Sequence, residues 1–255
     1  MAFIQPEQLF NPDLLDNLVI GIAANMGEHD SGMHHHKKAQ LLYAPAGCMT
    51  FTLTQTQVVL PPTRAAWLPA GVEHSVRMHN VVAYRSLYFE PETVSSLPDK
   101  VTIFHVNPLL KALIDTMSFW PWDKPRSSQH NAFSLLCEEL GNAMEENLAL
   151  PLPQDKRLTT WLAQLLQHQK PPANLKDMAV EIGASERTIS RIFSAQTGMA
   201  YQAWRQQWRL LAAIEQLATG TSVAQVGFNL QFSSDSAFIS FFKQYTDTTP
   251  AQYFK

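Results

Sequence analysis

The chain is poor in cysteine and charge, has no long apolar run, and shows no excess of basic residues. Each shortage narrows its function. Its two cysteines, Cys48 and Cys137, lie 89 positions apart in 255 residues. No Cys-x-x-Cys occurs, which leaves a zinc ribbon, a dithiol redox centre and a disulfide framework without support. Two free thiols suit the cytoplasm. Met1 to Glu7 hold neither the basic nor the apolar stretch of a secretory signal. No uninterrupted apolar segment approaches the ~20 residues of a membrane helix. A soluble, cytoplasmic protein with no membrane association is therefore expected. Hydrophobic residues make up 45% and charged residues 16%, a globular composition rather than a disordered or coiled-coil one. The formal net charge of −3 argues, taken alone, against nucleic acid as a partner.

What is present changes character near residue 150. Residues 30–90 alternate apolar and polar side chains, as in Phe51-Thr52-Leu53-Thr54 and His74-Ser75-Val76-Arg77-Met78. Pro61-Pro62, Pro69 and Gly71 break these runs as turns, so a small antiparallel sheet or barrel is expected. From about residue 107 the period becomes helical. Leu109, Leu110, Leu113 and Ile114 mark one helix at 107–118, and Phe133, Leu136, Cys137, Leu140 and Met144 a second at 131–147. The prolines of Trp120 to Pro125 separate them. Leu150-Pro151-Leu152-Pro153 reads as a semi-rigid linker. Leu158, Trp161, Leu162, Leu165 and Leu166 then form an apolar helical stripe.

The next hundred residues contain a repeat. Leu175, Met178, Ala179 and Ile182 share their spacing with Val223, Val226, Gly227 and Leu230, 48 positions later. A small residue, Ala179 or Gly227, falls at the same place and lets a second helix cross closely. Ser185 and Ser234 are matching N-caps, each followed at equal offsets by an apolar triplet: Ile189, Ile192, Phe193 and Phe238, Phe241, Phe242. The cap offset is 49, so the second turn is one residue longer. Two helix-turn-helix units result, at 174–197 and 222–246. A helix from Tyr201 to Ala218 joins them, roughly 27 Å long at about 1.5 Å per residue. Such a rod can hold two recognition helices near one DNA turn apart, about 34 Å. An ordinary six-helix bundle is the competing reading.

Residues 174–255 resemble the DNA-binding domain of AraC/XylS-type transcription regulators. The resemblance is carried by Leu175 to Ala179, Ser185 to Phe193, Thr197-Gly198, Tyr201 to Arg205, and Ala237 through Thr249-Pro250-Ala251-Gln252-Tyr253. Gln231 and Asp247 stand where the family usually has glycine. On the first recognition helix Arg187, Ser190 and Arg191 face outward and match the family's base-reading positions. Arginine suits that task because its fork can pair bidentately with guanine. The second presents Asp235, Ser236, Ile239, Ser240 and Lys243 and no arginine, so the first is expected to dominate discrimination. Lys176, Arg205, Arg209 and Lys243 are candidate phosphate contacts. A solvated helix face is the bland alternative.

The first half carries a histidine constellation. His34, His36 and Gln40 share strand parity, and His74 follows in Pro69-Ala70-Gly71-Val72-Glu73-His74. Over residues 25–90 this is similar to the cupin pattern, with Gln40 in place of its acidic member. The resemblance implies a sensor barrel ahead of the DNA reader. His34, His36 and His74 could bind a divalent metal, with Gln40 a weaker neutral ligand; an effector pocket without metal, or a solvated histidine run, remains open. His35 has the wrong parity. His79, His105, His130 and His168 are read as ordinary histidines.

The expected fold is α+β: a cupin-like sensor barrel at 1–106, a helical dimerisation or packing segment at 107–150, and an all-α DNA-binding domain at 151–255 with two helix-turn-helix units. In the helical segment Leu113, Met117, Leu136, Leu140 and Met144 line either a dimer seam or the barrel's cover. The expected function is a ligand-responsive, sequence-specific regulator, not an enzyme. Expected partners are double-stranded promoter or operator DNA, a small-molecule effector, a second copy in a homodimer, and RNA polymerase as a further candidate. The resemblance also points to control of a neighbouring transporter or efflux gene. A metal-dependent cupin enzyme, a dioxygenase or isomerase, is the rival; Glu73 points away from His74, which weakens it. The charge then divides. Residues 1–154 hold 9 basic and 15 acidic side chains, and residues 155–255 hold 10 and 7. An acidic sensor masks a modestly basic reader, with so small an excess that tight operator binding is expected to need two protomers.

Overall fold

The computed structural model describes residues 3–4, 10–78, 82–166 and 171–254. His79 and His168 lie outside them. Contacts divide the chain into two compact units, Met1–Thr54 with Val59–Leu148, and Gln55–Val58 with Ala149–Lys255. Among the described residues no helix is long and apolar enough to cross a membrane.

The first unit is built from β1 (Val19–Met26), β2 (His29–Asp30), β3 (Ala39–Ala46), β4 (Met49–Leu53), the last two residues of β5 (Thr56–Leu60), whose first three belong to the second unit, β6 (Arg64–Leu68), β7 (His74–Met78), β8 (Val82–Phe89), β9 (Thr102–His105), α1 (Pro108–Ser118) and α2 (Arg126–Asn142). One antiparallel sheet has the order β1-β8-β3-β6-β9, and β5-β4-β7-β2 form a second. This is the cupin-like arrangement. It is wider than residues 30–90, because β1 and β9 are also strands. Seven of the eight residues of β1 are buried; a strand covered on both faces shows no polar–apolar alternation to read. The register of β3 on β8 shifts between Tyr43 and Ala46, at Pro45, which has no amide to donate to a ladder.

The two helices cover the first sheet. Leu110, Ile114 and Met117 of α1 and Phe133, Leu136 and Leu140 of α2 are buried with Leu41, Tyr43, Trp67 and Phe89. Burying each such side chain stabilises the fold by roughly 1.5–3 kcal/mol. Met117, Leu136 and Leu140 are thus core residues and not a dimer seam. Leu113 packs at the edge of the same cluster, and Met144 is 74% exposed beyond the end of α2. The second helix starts and stops five residues earlier than expected. Pro125 leads into it, and residues 144–146 run beside β9, with the His105 amide donating to the Met144 carbonyl at 2.8 Å.

The second unit contains β10 (Ala149–Pro151), α3 (Thr159–Leu166), α4 (Leu175–Ile182), α5 (Glu186–Thr197), α6 (Tyr201–Ala218), α7 (Val223–Asn229) and α8 (Asp235–Thr246). The stretch expected as a linker is therefore partly a strand: β10 pairs with β5, Ala149 opposite Val58 and Pro151 opposite Thr56. Gln207 and Trp204 of α6 donate to the carbonyls of Ala149 and Pro151. Phe193, Tyr201 and Trp204 pack ring on ring, with centroids 4.8 and 5.0 Å from Phe193.

Gly21 on β1 lies close against the end of α1. A Cβ there would lie 2.2 Å from the Met117 carbonyl oxygen. Gly21→Ala should lower stability by about 1–3 kcal/mol, the usual cost of overpacking. Thermal melting followed by circular dichroism checks this; an unchanged midpoint would contradict it.

Candidate functional site: a histidine cavity and two recognition helices

A cavity of about 350 Å³ opens in the first unit. His34, His36, Gln40, and Tyr84 and Tyr88 of β8 line it. His34 and His74 face each other across an isolated antiparallel bridge, each amide donating to the other's carbonyl at 2.9 Å. The Gly71 amide donates to the His36 carbonyl at 2.8 Å and ties the third histidine to the same turn. The ring centroids of His34 and His74 are 4.5 Å apart, and those of His34 and His36 4.9 Å. Ligand atoms of all three rings lie within 4.8 Å of one another.

The rings are oriented as metal ligands commonly are. His74 Nδ1 is 2.9 Å from the Val72 carbonyl, and His34 Nδ1 is 2.9 Å from that of Gly32. A carbonyl can only accept, so both Nδ1 atoms carry the proton and both Nε2 atoms keep a lone pair. Nε2 of His36, Nε2 of His74 and Oε1 of Gln40 are buried and make no hydrogen bond. Burial, then the neighbouring His34 and His74, hold the His36 pKa down to about 4. Burial also lowers that of His74. Both stay neutral near pH 7, the form that binds a cation.

Gln40 does more than occupy the acidic residue's place. Its Nε2 donates to Ser86 Oγ at 2.9 Å and to Tyr88 Oη at 3.0 Å. Burial raises Tyr88 well above the usual phenol range, so Tyr88 is a neutral hydroxyl. Ile4, Phe10, Ile22, Met26, Val76 and Met78 form the apolar wall. Asp30 also lines the cavity, its carboxyl held below the ordinary range chiefly by Arg77. No lysine or arginine is among the described lining residues. Tyr84, Ser86 and Tyr88 were missed in the sequence, although their period of two on one strand was the signal that could have found them. His35 and Glu73 are exposed, as parity required.

In the second unit the repeat becomes geometry. Ser185 Oγ accepts from the Thr188 amide at 3.2 Å, and Ser234 Oγ from the Ala237 amide at 3.1 Å. Gly227 lies against Phe238, where a Cβ would sit 3.4 Å from that of Phe238. The small residue marks the close crossing of α7 and α8. Both first helices end in the same motif. Ala184 donates to Ala179 and Gly183 to Val180 in one unit; Phe232 donates to Gly227 and Gln231 to Phe228 in the other. The motif needs a left-handed residue. Gly183 supplies it with φ 67°, and Gln231 adopts it with φ 60°, at a cost on the order of 1 kcal/mol. Asp247, with φ 58°, does the same after α8. Ser233 is the extra residue.

Arg187 and Arg191 are exposed on α5, with Ser190 half-buried between them. Ser236, Ile239, Ser240 and Lys243 are exposed on α8, and Lys176 on α4. Ile189, Ile192, Phe193, Phe238 and Phe242 are buried beneath. The remaining two candidates are engaged inward. Arg205 Nε donates to the Pro172 carbonyl at 2.8 Å. Arg209 donates to the carbonyls of Leu230 and Gln231. Both were expected as phosphate contacts, and each ties α6 to main chain.

Residues 17–180 match the AraC-like ligand binding domain family, and residues 178–255 a helix-turn-helix domain family. The chain belongs to the AraC family of transcription regulators. It pairs the family's ligand-binding domain with a helix-turn-helix DNA-binding domain, which sets aside the reading as a cupin enzyme. It is 28% identical over 247 residues to the HTH-type transcriptional regulator NimR of Escherichia coli, covering 96% of this chain and 90% of that protein. Regulatory protein PocR of Salmonella typhimurium is 30% identical over 104 residues, covering 40% and 34%. A crystal structure of fatty-acid-bound ToxT from Vibrio cholerae aligns over 94% of this chain and 96% of that one, with 10% identity and a TM-score of 0.37.

Each serine cap of this AraC-type regulator satisfies one amide of a helix start. Ser185→Ala and Ser234→Ala should each cost about 1 kcal/mol. Chemical denaturation of the two variants measures it; no loss in either would contradict the capping roles.

Proposed function

We propose that this regulator reads operator DNA through α5 and α8 in successive major grooves and responds to a small molecule held in the histidine cavity. Arg187, Ser190 and Arg191 read bases and dominate discrimination, because a guanidinium fork can make two hydrogen bonds to one guanine. Ser236, Ile239 and Ser240 read more weakly. Lys176 and Lys243 meet phosphates, which raise affinity without specifying sequence. The supporting observation is that both recognition helices keep a largely polar exposed face over a buried apolar one. We assign the protein to the cytoplasm, as a homodimer on its operator with RNA polymerase as its further partner.

His34, His36 and His74 hold a divalent metal in this reading, with Gln40 Oε1 beside it. The fit rests on two buried imidazole nitrogens without a hydrogen bond, Nε2 of His36 and of His74, and on the carbonyls that fix the opposite nitrogens of His34 and His74. A borderline cation such as Zn²⁺ suits an all-imidazole set. When bound it would supply a positive charge to a cavity whose described lining has no lysine or arginine. Tyr84, Tyr88 and the apolar wall would then orient the effector.

Footprinting of the DNA upstream of the neighbouring genes defines the operator. Arg187→Ala and Arg191→Ala should each weaken operator binding roughly 5- to 150-fold, as the loss of about 1–3 kcal/mol implies. Unchanged operator preference in both variants would overturn the reading of α5. Metal content after native purification should be near one ion per chain and be lost in His74→Ala. Wild-type protein that arrives and stays metal-free in Zn²⁺ would remove the metal.

A further inference from the structure

The two helix-turn-helix units solve the same backbone problem with different residues. In the first, Gly183 takes the left-handed position without side-chain strain, at φ 67°. In the second, Gln231 takes it at φ 60°, and Ser233 lengthens the turn that follows. A longer turn on a less suitable residue should be looser. It is instead clamped from outside. Arg209 Nε donates to the Leu230 carbonyl at 3.1 Å, and its terminal nitrogen to the Gln231 carbonyl at 3.0 Å. The same guanidinium lies 4.1 Å over the ring of Phe232. One side chain of α6 thus grips three consecutive residues of the turn.

This is an unusual use of a charge. Among the described residues the partners of Arg209 are main-chain carbonyls and an aromatic ring, with no carboxylate. Burial, then nearby Arg205, lower its pKa to about 10, so it keeps its proton at neutral pH. A planar fork suits two carbonyls side by side and an aromatic face, which a lysine cannot match.

We propose that Arg209 is the positioning residue of the second unit. It holds the turn from Leu230 to Ser233 in the conformation that glycine supplies in the first unit, and so sets the angle at which α8 presents Ser236, Ile239 and Ser240. The proposal rests on the reading that α8 meets DNA. It replaces the phosphate contact that the sequence suggested for this residue.

The test uses the full chain and its footprinted operator. Binding is measured by fluorescence anisotropy for Arg209→Gln, Arg209→Lys, Gln231→Gly and the double variant Arg209→Gln/Gln231→Gly. Operators with base changes under one unit or the other, and a random duplex at several salt concentrations, complete the set. Arg209→Gln is expected to weaken operator binding about tenfold and to abolish discrimination under the second unit only. Arg209→Lys should behave alike, since charge without a fork does not serve. Gln231→Gly alone should be near neutral, and in the double variant should restore much of the lost discrimination. Equal loss under both units, or no loss, would overturn the proposal. So would a salt dependence on random duplex shallower by about one ion, which would mark Arg209 as a phosphate contact. Wild-type protein indifferent to base changes under the second unit would overturn the reading of α8 itself. If Arg209→Gln melts below the assay temperature, Arg209→Lys carries the comparison.

Discussion

The burial of α6 is the constraint on which the DNA-reading unit depends. Nine of its 18 residues are buried, including Trp204, Trp208, Leu211 and Ala213. A helix covered on most sides cannot roll or slide without opening its packing, since protein interiors are filled to crystal-like density. Phe193 of α5 lies against Trp204, and α7 packs on the same rod. Both recognition helices thereby inherit a fixed relation to one element. Base readout requires that rigidity, because a hydrogen bond to a base edge is lost with a small tilt.

The cavity depends on the opposite condition, a deliberate lack of satisfaction. Buried acceptors without donors cost about 1–3 kcal/mol each. His36, His74 and Gln40 together concentrate that cost in one place. Their surroundings prevent the simple escape of taking up protons, because burial keeps the two imidazoles neutral. Gln40 cannot turn its amide inward either, since Ser86 and Tyr88 hold its nitrogen. A cation or a hydrogen-bond donor entering the cavity relieves the cost. In the proposed function that tension would be a source of affinity for a cation or donor group bound there.

Much of the helical half was legible in the sequence, and for local reasons. Caps, periodicity and small crossing residues act within a few positions, so α6 is read with its true bounds and the two serine caps fall where expected. The sheet half was less legible. β1 escaped because both its faces are buried, and β10 because two prolines mimic a linker. Pro151 is tolerated where β10 pairs on one side with β5. Arg209 shows the same limit: its charge is visible in sequence, while its hydrogen bonds to the carbonyls of Leu230 and Gln231 are not.

The sequence by itself determined the two repeated helix-turn-helix units and their largely polar outward faces, because each follows from spacing along one element; His34, His36 and Gln40 were expected on one strand, but only Gln40 lies on β3, and His34 is an isolated bridge ahead of it. Only the tertiary structure decided what those residues face. The pairing of His34 with His74 across 40 positions, the grip of Arg209 on a turn 21 positions away and the covering of the first sheet by α1 and α2 are long-range contacts. They are set by which strands and helices pack together, and spacing along the chain carries no record of that choice.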